Sequence, residues 1–306
     1  MKRFICVFSV LCVLLLSGCT GNTPETSDNT KIVATSFYPV HIFTLNLLDG
    51  IDGIKAECMA EQSVGCLHDY TLTARDAKLL SDARVLVVNG AGMESFLEDA
   101  FESAEGLKVI DSSLNTEILC AEEHHSEDEE EHSHHHHEGN SHIWLSVDNA
   151  KIQVENIKNG LVKEFPEYEE KIEENYGAYI ERLDALIRER DELPPLTANF
   201  SAVSFHGAYE YLAKETGFEI KATVESDEGA EPSAKELAHL SDGIVEENVG
   251  ALFVEPGYNG SGAKILSEET SAKIYVINPV INGEVKLTAY EDIMRENYKN
   301  ILRAVK

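Results

Sequence analysis

Three histidines stand where a metal ion could be bound: His68, His142 and His206. Zinc accepts imidazole nitrogen readily, and three such ligands leave one position of a four-coordinate site open. Each histidine lies beside a predicted strand end or helix start, outside any amphipathic face. Taken singly, however, such residues are more often structural or solvated histidines. The long separations between the three carry no local metal signature, so their position in the fold decides their meaning.

The elements that must position them form two sets in which strands alternate with helices. This pattern predicts parallel sheets with helices on both faces. In the first set, Pro39 is expected to open a helix and Thr73 to cap one. The first set has predicted strands at 32–36, 54–58, 84–88 and 107–110, and helices at 40–48, 73–82 and 93–103. The second has strands at 201–205, 218–224, 251–254 and 273–277, and helices at 207–216, 233–248, 263–270 and 287–304.

Between the two sets, the sequence predicts helices at 147–164 and from 166 to about 193, the second ended by Pro194-Pro195. The predicted fold is therefore α/β, with two lobes of about four parallel strands joined by one long helix. We place the N-terminal lobe at 31–146, the connecting helices at 147–193 and the C-terminal lobe at 194–306. Open α/β sheets bind ligands beyond the carboxyl ends of their strands, so a cleft between the lobes is the expected site.

The first residues indicate export from the cytoplasm. A basic head and a thirteen-residue apolar run from Phe4 to Leu16 fit a secretory signal, because a membrane span needs about 20 apolar residues. Leu16-Ser17-Gly18-Cys19 resembles the lipobox of bacterial lipoproteins, which implies cleavage after residue 18 and acylation of Cys19. An uncleaved anchor helix is the alternative. We expect a polar tether over 19–30 and an extracytoplasmic protein lipid-anchored to a bacterial cell membrane.

Three other cysteines lie in the exported part of the chain. Cys58 and Cys66 flank a predicted loop, and the extracytoplasmic compartment permits disulfides. A bridge between them would stiffen the loop that carries His68, whereas an anaerobic organism would keep both as thiols. Cys120 is left over.

A histidine-rich acidic segment interrupts the pattern at 122–138. It has no apolar periodicity and cannot bury a core, so a loop is predicted. Histidine with carboxylate can take up zinc reversibly, which suggests auxiliary metal capture; a solvated insert or an engineered tag are the alternatives. The full chain carries a formal charge of -30, which argues against nucleic acid as a partner. The segment's histidines are His124, His125, His132, His134, His135, His136 and His137.

Short motifs in a specific order around the long helix strengthen the metal hypothesis. They are spread over nearly all of the exported chain: the 32–39 stretch, His68-Asp69-Tyr70-Thr71-Leu72-Thr73, 82–90, His142-Ile143-Trp144-Leu145, 206–212, 231–233 and Val254-Glu255-Pro256. In this the chain resembles the zinc-binding branch of the cluster A-I solute-binding proteins, which serve ABC metal transporters. The resemblance implies two Rossmann-like lobes, a rigid backbone helix and a metal between the lobes.

The same resemblance implies that His68, His142 and His206 are metal ligands. Manganese members of the family typically have a carboxylate where His206 stands, and manganese prefers oxygen ligands, so three imidazoles favour Zn²⁺ as the ion. The aspartate that many relatives carry before the last helix is absent, and Thr288 occupies the nearest place. We select Glu255 as the fourth ligand, with Glu284 and water as alternatives.

The predicted function is a monomeric high-affinity zinc receptor that delivers its ion to an ABC permease with a partner ATPase. The chain itself has no phosphate-binding loop of the G-x-x-x-x-G-K-[ST] type. A zinc-dependent hydrolase is a second reading, because three histidines and water also describe a catalytic zinc site. The chain has no His-Glu-x-x-His motif to support this reading, and we predict that the protein is not an enzyme. A metal buffer or adhesin without a transporter is a third reading, and manganese is the alternative ion.

Overall fold

A computed structural model describes residues 30–60, 70–97, 106–119, 139–224 and 232–306. Two four-stranded sheets organise these residues. The strand order in the first is β2 (Ile54–Cys58), β1 (Lys31–Thr35), β3 (Val85–Val88) and β4 (Lys108–Asp111), and in the second it is β6 (Glu219–Thr223), β5 (Ser201–Ser204), β7 (Ala251–Val254) and β8 (Lys273–Val276). Every pairing between neighbouring strands is parallel. The predicted fold class of two α/β lobes is confirmed.

The first lobe is built on strands that lie within one residue of their predicted bounds. Thr73 caps α2 through a capping box, accepting from the backbone N–H of Asp76 while the Asp76 carboxylate accepts from the backbone N–H of Thr73. The elements are β1 (Lys31–Thr35), α1 (Tyr38–Leu48), β2 (Ile54–Cys58), α2 (Ala74–Asp82), β3 (Val85–Val88) and β4 (Lys108–Asp111).

The helix predicted over 93–103 can be compared with the structure only over 93–97, where it differs. Its described part holds a single 3₁₀ turn at Ser95–Leu97, and residues 98–105 lie outside the described ranges. Glu94 explains why no α-helix begins at Met93: its buried carboxylate accepts hydrogen bonds from Ser36 Oγ and from the backbone N–H groups of Asn89 and Gly90. The segment is shaped by this tertiary contact, which competes with local helix propensity.

Two long helices connect the lobes: α3 (Val147–Glu164) and α4 (Glu169–Arg190). The 22 residues of α4 span about 33 Å at 1.5 Å per residue. One face of α4 is apolar and buried, and the helix contacts α1 and α3 as well as the C-terminal helix. The predicted long backbone helix is therefore present, and its first predicted turn is a separate 3₁₀ turn at Pro166–Tyr168.

The prediction that Pro194-Pro195 ends α4 is wrong, because the helix has already ended at Arg190. The two prolines instead open a one-turn helix, α5 (Pro194–Thr197). Proline is well suited to the first helical turn, where its missing N–H costs no hydrogen bond. It therefore starts a helix here.

The second lobe repeats the architecture of the first. Ser233 and Glu236 form the predicted capping box at the start of α7. None of the helices in the described part of the chain combines the length and apolar character that a bilayer crossing requires. The remaining elements are β5 (Ser201–Ser204), α6 (Glu210–Thr216), β6 (Glu219–Thr223), α7 (Ala234–Glu246), β7 (Ala251–Val254), α8 (Gly262–Glu269), β8 (Lys273–Val276) and α9 (Ala289–Val305).

One apolar core cluster runs from one lobe into the other around Trp144, which is fully buried. Its Nε1 donates to the Pro279 carbonyl at 2.7 Å, and its own carbonyl accepts from Tyr290 Oη at 2.8 Å. The Phe37 ring packs edge-on against the indole at 4.9 Å. Because side chains of both lobes meet on this one residue, the lobes share a packed interface beneath the cleft.

Glu215 adds a polar contact between the lobes. Its carboxylate, on α6, accepts from Ser146 Oγ at 2.5 Å and from the Val147 N–H at 3.1 Å, at the N-terminus of α3. Arg190 Nη1 lies 3.1 Å from the same carboxylate, and both side chains are nearly buried. A negative charge is favourable at a helix N-terminus. The end of α4 and the start of α3 are thus tied to the second lobe.

The burial of His41 is expected to make the free energy of unfolding depend on pH. The ring is buried, its Nδ1 lies 3.0 Å from Thr35 Oγ1, and burial lowers its pKa from 6.5 to about 4. Because the unfolded chain then binds the proton more tightly, the residue's contribution to the unfolding free energy rises as pH increases from 4 to 6.5. We expect the difference between wild type and His41→Asn to rise by about 3 kcal/mol over this window and then stay constant. Urea unfolding at stepped pH measures it, and parallel profiles would refute it.

Candidate metal centre

His206 lies two residues after β5, at the carboxyl end of one of the two central strands of the second sheet. Ser204 holds the turn: its Oγ donates to the His206 carbonyl at 2.5 Å and accepts from the His206 N–H at 3.1 Å. The backbone of His206 is extended, and the chain enters a 3₁₀ turn at Gly207–Tyr209. The imidazole is thus placed at the sheet edge where ligands of α/β proteins bind.

Glu255 follows β7, the neighbour of β5 in the same sheet. The carboxyl ends of parallel neighbours meet at one edge, and Glu255 Oε1 lies 2.6 Å from His206 Nδ1. The His206 side chain is 16% exposed, so this contact is largely shielded from water. The contact sets a carboxylate beside Nδ1, across the ring from Nε2, the nitrogen left for an ion.

His142 reaches the same point from the other side of the cleft. Its ring is buried and stands edge to face with that of His206, with 4.9 Å between ring centroids and an interplanar angle of 85°. Asn89 of the first lobe holds the preceding residue, donating from Nδ2 to the Ser141 carbonyl at 3.0 Å. The structure therefore brings together two of the three predicted histidines, one from each lobe.

The surroundings of the pair are aromatic. The Trp144 ring lies 5.1 Å from His142, and the Tyr209 ring lies 6.0 Å from His206. Both aromatic side chains are fully buried. Such walls limit the access of water to the rings and strengthen electrostatic interactions at the site.

Most of the other predicted site residues cannot be located, because they are not among the described residues. His68, the seven loop histidines, Cys19 and Cys66 lie outside the described residues. Over the described ranges, no group of three or more His, Cys, Asp or Glu side chains is placed to hold a metal. The side chain of Glu284 is 78% exposed and its carboxylate lies 3.4 Å from Lys286 Nζ. Thr288 Oγ1 donates to Asp292 at 2.9 Å.

Cys58 ends β2, and its Sγ lies 3.5 Å from the Ala60 carbonyl. Its predicted partner Cys66 falls in 61–69, outside the described residues, so the disulfide stays a prediction. Cys120 lies outside them too.

Asn140 is the site residue that the sequence analysis missed. Its Oδ1 lies 2.9 Å from His142 Nδ1 and also accepts from the His142 N–H at 3.0 Å. The second bond is an Asx turn, in which an Asn side chain bonds the backbone two residues ahead. An asparagine two positions before a proposed ligand was therefore the available signal.

Comparison with known proteins decides the family. The family model described as "Zinc-uptake complex component A periplasmic" matches residues 33–304. The chain belongs to this family. The resemblance predicted from the motifs is thereby confirmed, and the match covers both lobes and the helices between them.

Relatives in the family carry names that refer to zinc. The chain is 32% identical over 302 residues to the high-affinity zinc uptake system protein ZnuA of Bacillus subtilis (strain 168), covering 94% of this chain and 92% of that protein. It is 28% identical over 305 residues to the zinc-binding lipoprotein AdcA of Streptococcus pneumoniae serotype 4, covering 99% of this chain. The chain spans 59% of that relative's length.

Solved structures of other proteins share the fold of this chain. Zn(II)-bound AdcA from Streptococcus pneumoniae superposes with a TM-score of 0.75 at 26% identity, covering 90% of this chain and 58% of that one. The solute-binding protein FpvC of Pseudomonas aeruginosa, solved in complex with Mn²⁺, gives 0.76 at 26% identity, with 90% and 98% covered. The two-lobe architecture is thus shared with metal-bound proteins.

Proposed function

We propose that this chain is the extracytoplasmic receptor of a zinc importer, which binds Zn²⁺ between its lobes and delivers it to an ABC permease. One observation carries the proposal: His142 and His206, from opposite sides of the cleft, stand 4.9 Å apart. Nδ1 of His142 bonds to Asn140 Oδ1, which places the ligating lone pair of that ring on Nε2, and Nδ1 of His206 lies 2.6 Å from Glu255 Oε1. His68 supplies the third imidazole in this proposal.

Zinc is favoured over manganese by the chemistry of this pair. Two neutral imidazoles are nitrogen ligands, which suit zinc, whereas manganese prefers carboxylate and carbonyl oxygen. The names of the family and of its relatives support the same ion. The name of the lipoprotein relative supports lipid attachment at Cys19 and an extracytoplasmic location. In this proposal the receptor is a monomer, and the permease works with a partner ATPase.

The sequence analysis selected Glu255 as the fourth metal ligand. We propose a different role for it. The two nitrogens of an imidazole point away from one another, so a carboxylate bound at Nδ1 lies across the ring from an ion on Nε2. We assign Glu255 to orienting His206, with water as the fourth ligand. Glu255→Gln keeps an acceptor oxygen and should weaken zinc binding by roughly tenfold, as partners of ligands do. A change in the visible spectrum of the Co²⁺-loaded variant would instead indicate that Glu255 ligates.

Titration of the purified mature protein with zinc and manganese, alone and in competition, tests the function. We expect a single tight site that zinc occupies in the presence of manganese. Growth in chelated medium tests delivery: a strain lacking its own receptor but retaining the permease should be rescued by the wild-type chain. Zinc-dependent hydrolysis of an ester or peptide, lost with His142→Ala, would support the enzyme reading and oppose ours.

Deleting residues 122–138 tests the part played by the histidine-rich segment. Because the cleft ligands lie outside it, the tight zinc site should keep its affinity, while weaker additional binding disappears. Isothermal titration of both proteins measures stoichiometry and affinity together. If all zinc binding vanished with the segment, the cleft would not be the site.

A further inference from the structure

The side chain of Asn140 uses its full hydrogen-bonding capacity at the cleft. Oδ1 faces Nδ1 and the backbone N–H of His142, at 2.9 and 3.0 Å. Nδ2 donates to the Gly207 carbonyl at 2.8 Å and to Glu210 Oε2 at 2.9 Å. An amide offers two donors and two acceptor positions, and all four are engaged here.

These partners determine the orientation of the amide and the tautomer of His142. A backbone N–H can only donate, and a backbone carbonyl can only accept. The oxygen of Asn140 must therefore face His142, and the nitrogen must face Gly207. Because that oxygen can only accept, the neutral His142 ring must carry its proton on Nδ1, which places the lone pair on Nε2.

The backbone of Asn140 is held as firmly as its side chain. Its N–H donates to the Leu119 carbonyl at 2.7 Å, and its carbonyl accepts from Tyr211 Oη at 2.7 Å. The same tyrosine oxygen accepts from the Leu119 N–H at 3.0 Å. Gly207 and Tyr211 belong to the second lobe, and Gly207 is the residue after His206. Asn140 therefore connects the ring of one histidine to the backbone that carries the other.

The geometry points to Asn140 as the positioning residue of the metal site. It holds His142 in the Nδ1–H tautomer and fixes its ring relative to His206 through Gly207 and Glu210. This inference deepens the proposed function and rests on it for the identity of the ion. The tautomer of the metal-free protein, however, follows from the contacts of Asn140 alone.

Ring-¹⁵N-labelled histidine and long-range ¹H–¹⁵N spectra of the metal-free mature protein test the tautomer, with the His142 signals assigned from His142→Gln. We expect the Nδ1–H tautomer in the wild type and a mixed or altered tautomer in Asn140→Ala. Zinc affinity should fall roughly 10- to 100-fold in that variant, the effect expected for a group that orients a ligand. Asn175→Ala is the control, because it also removes an amide that donates to two backbone carbonyls.

A pair of variants tests the connection between the lobes. Asn140→Asp keeps an oxygen for His142 but replaces the donor to Gly207 and places a second carboxylate beside Glu210. Combining it with Glu210→Gln restores a hydrogen bond across that contact. We expect zinc affinity to fall in the single variant and to recover in part in the double variant.

Unchanged His142 signals together with unchanged zinc affinity in Asn140→Ala would overturn the inference. So would an Nε2–H tautomer in the wild-type protein. Failure of the proposed function is recognised separately, because the wild-type chain would then show no tight zinc site in its own titration.

Discussion

Replacing His206 with alanine is expected to weaken zinc binding by roughly 100- to 1000-fold. Structural zinc sites release about 10–16 kcal/mol over their ligands, so one ligand of four is worth roughly 2.5–4 kcal/mol. The ring stands 4.9 Å from His142 and its Nδ1 contacts Glu255, so alanine also leaves that carboxylate without its imidazole. Competition with a chromophoric chelator measures the dissociation constant.

His239→Ala is the matched control for this experiment. His239 lies on α7 and is exposed, so its loss should leave zinc affinity unchanged. A His206→Ala protein that bound zinc as tightly as the control would remove His206 from the ligand set. Equal weakening in both variants would show that the chelator assay reports on surface histidines.

Replacing Trp144 with alanine is expected to lower the free energy of unfolding by about 4 kcal/mol, the range for large aromatic residues in a packed core. The indole is fully buried, packs on Phe37 and donates to the Pro279 carbonyl. Alanine would leave a cavity at the junction of the lobes and a buried carbonyl without its donor. Urea unfolding of the metal-free protein measures the change.

Trp144→Phe separates packing from hydrogen bonding in the same experiment. Phenylalanine keeps an aromatic ring against Phe37 but cannot donate to Pro279, so a loss of about 1–3 kcal/mol is expected. If alanine and phenylalanine destabilised the protein equally, cavity formation would not be the main cost. A loss below about 1 kcal/mol for alanine would show that the lobes do not depend on this contact.

Much of the fold could be predicted because local signals and tertiary structure agree. The strands of both sheets follow from short β-branched runs, and the capping boxes at Thr73 and Ser233 follow from their spacing to Asp76 and Glu236. Local signals were less informative where distant partners take over. Glu94 bonds to groups at the ends of strands in the first sheet, and the described residues 93–97 hold a 3₁₀ turn where the start of a helix was predicted.

The candidate site was predictable in position and less so in its contacts. His206 follows a strand end, and strand order places Glu255 beside it, which the parallel pattern makes foreseeable. The short distance between the Glu255 carboxylate and Nδ1 depends on side-chain packing that no spacing reveals. Asn140 acquires its role only through Gly207 and Glu210, some 67 and 70 residues away in the chain.

We expect zinc to lie between the lobes, bound to His142 and His206. Diffraction from zinc-loaded crystals at the zinc absorption edge locates the ion, using the chain without residues 122–138 so that loop sites cannot contribute. We expect one strong anomalous peak about 2.0–2.1 Å from Nε2 of both histidines. A peak elsewhere, or a peak at Nδ1 of either ring with Asn140 and Glu255 displaced, would contradict it.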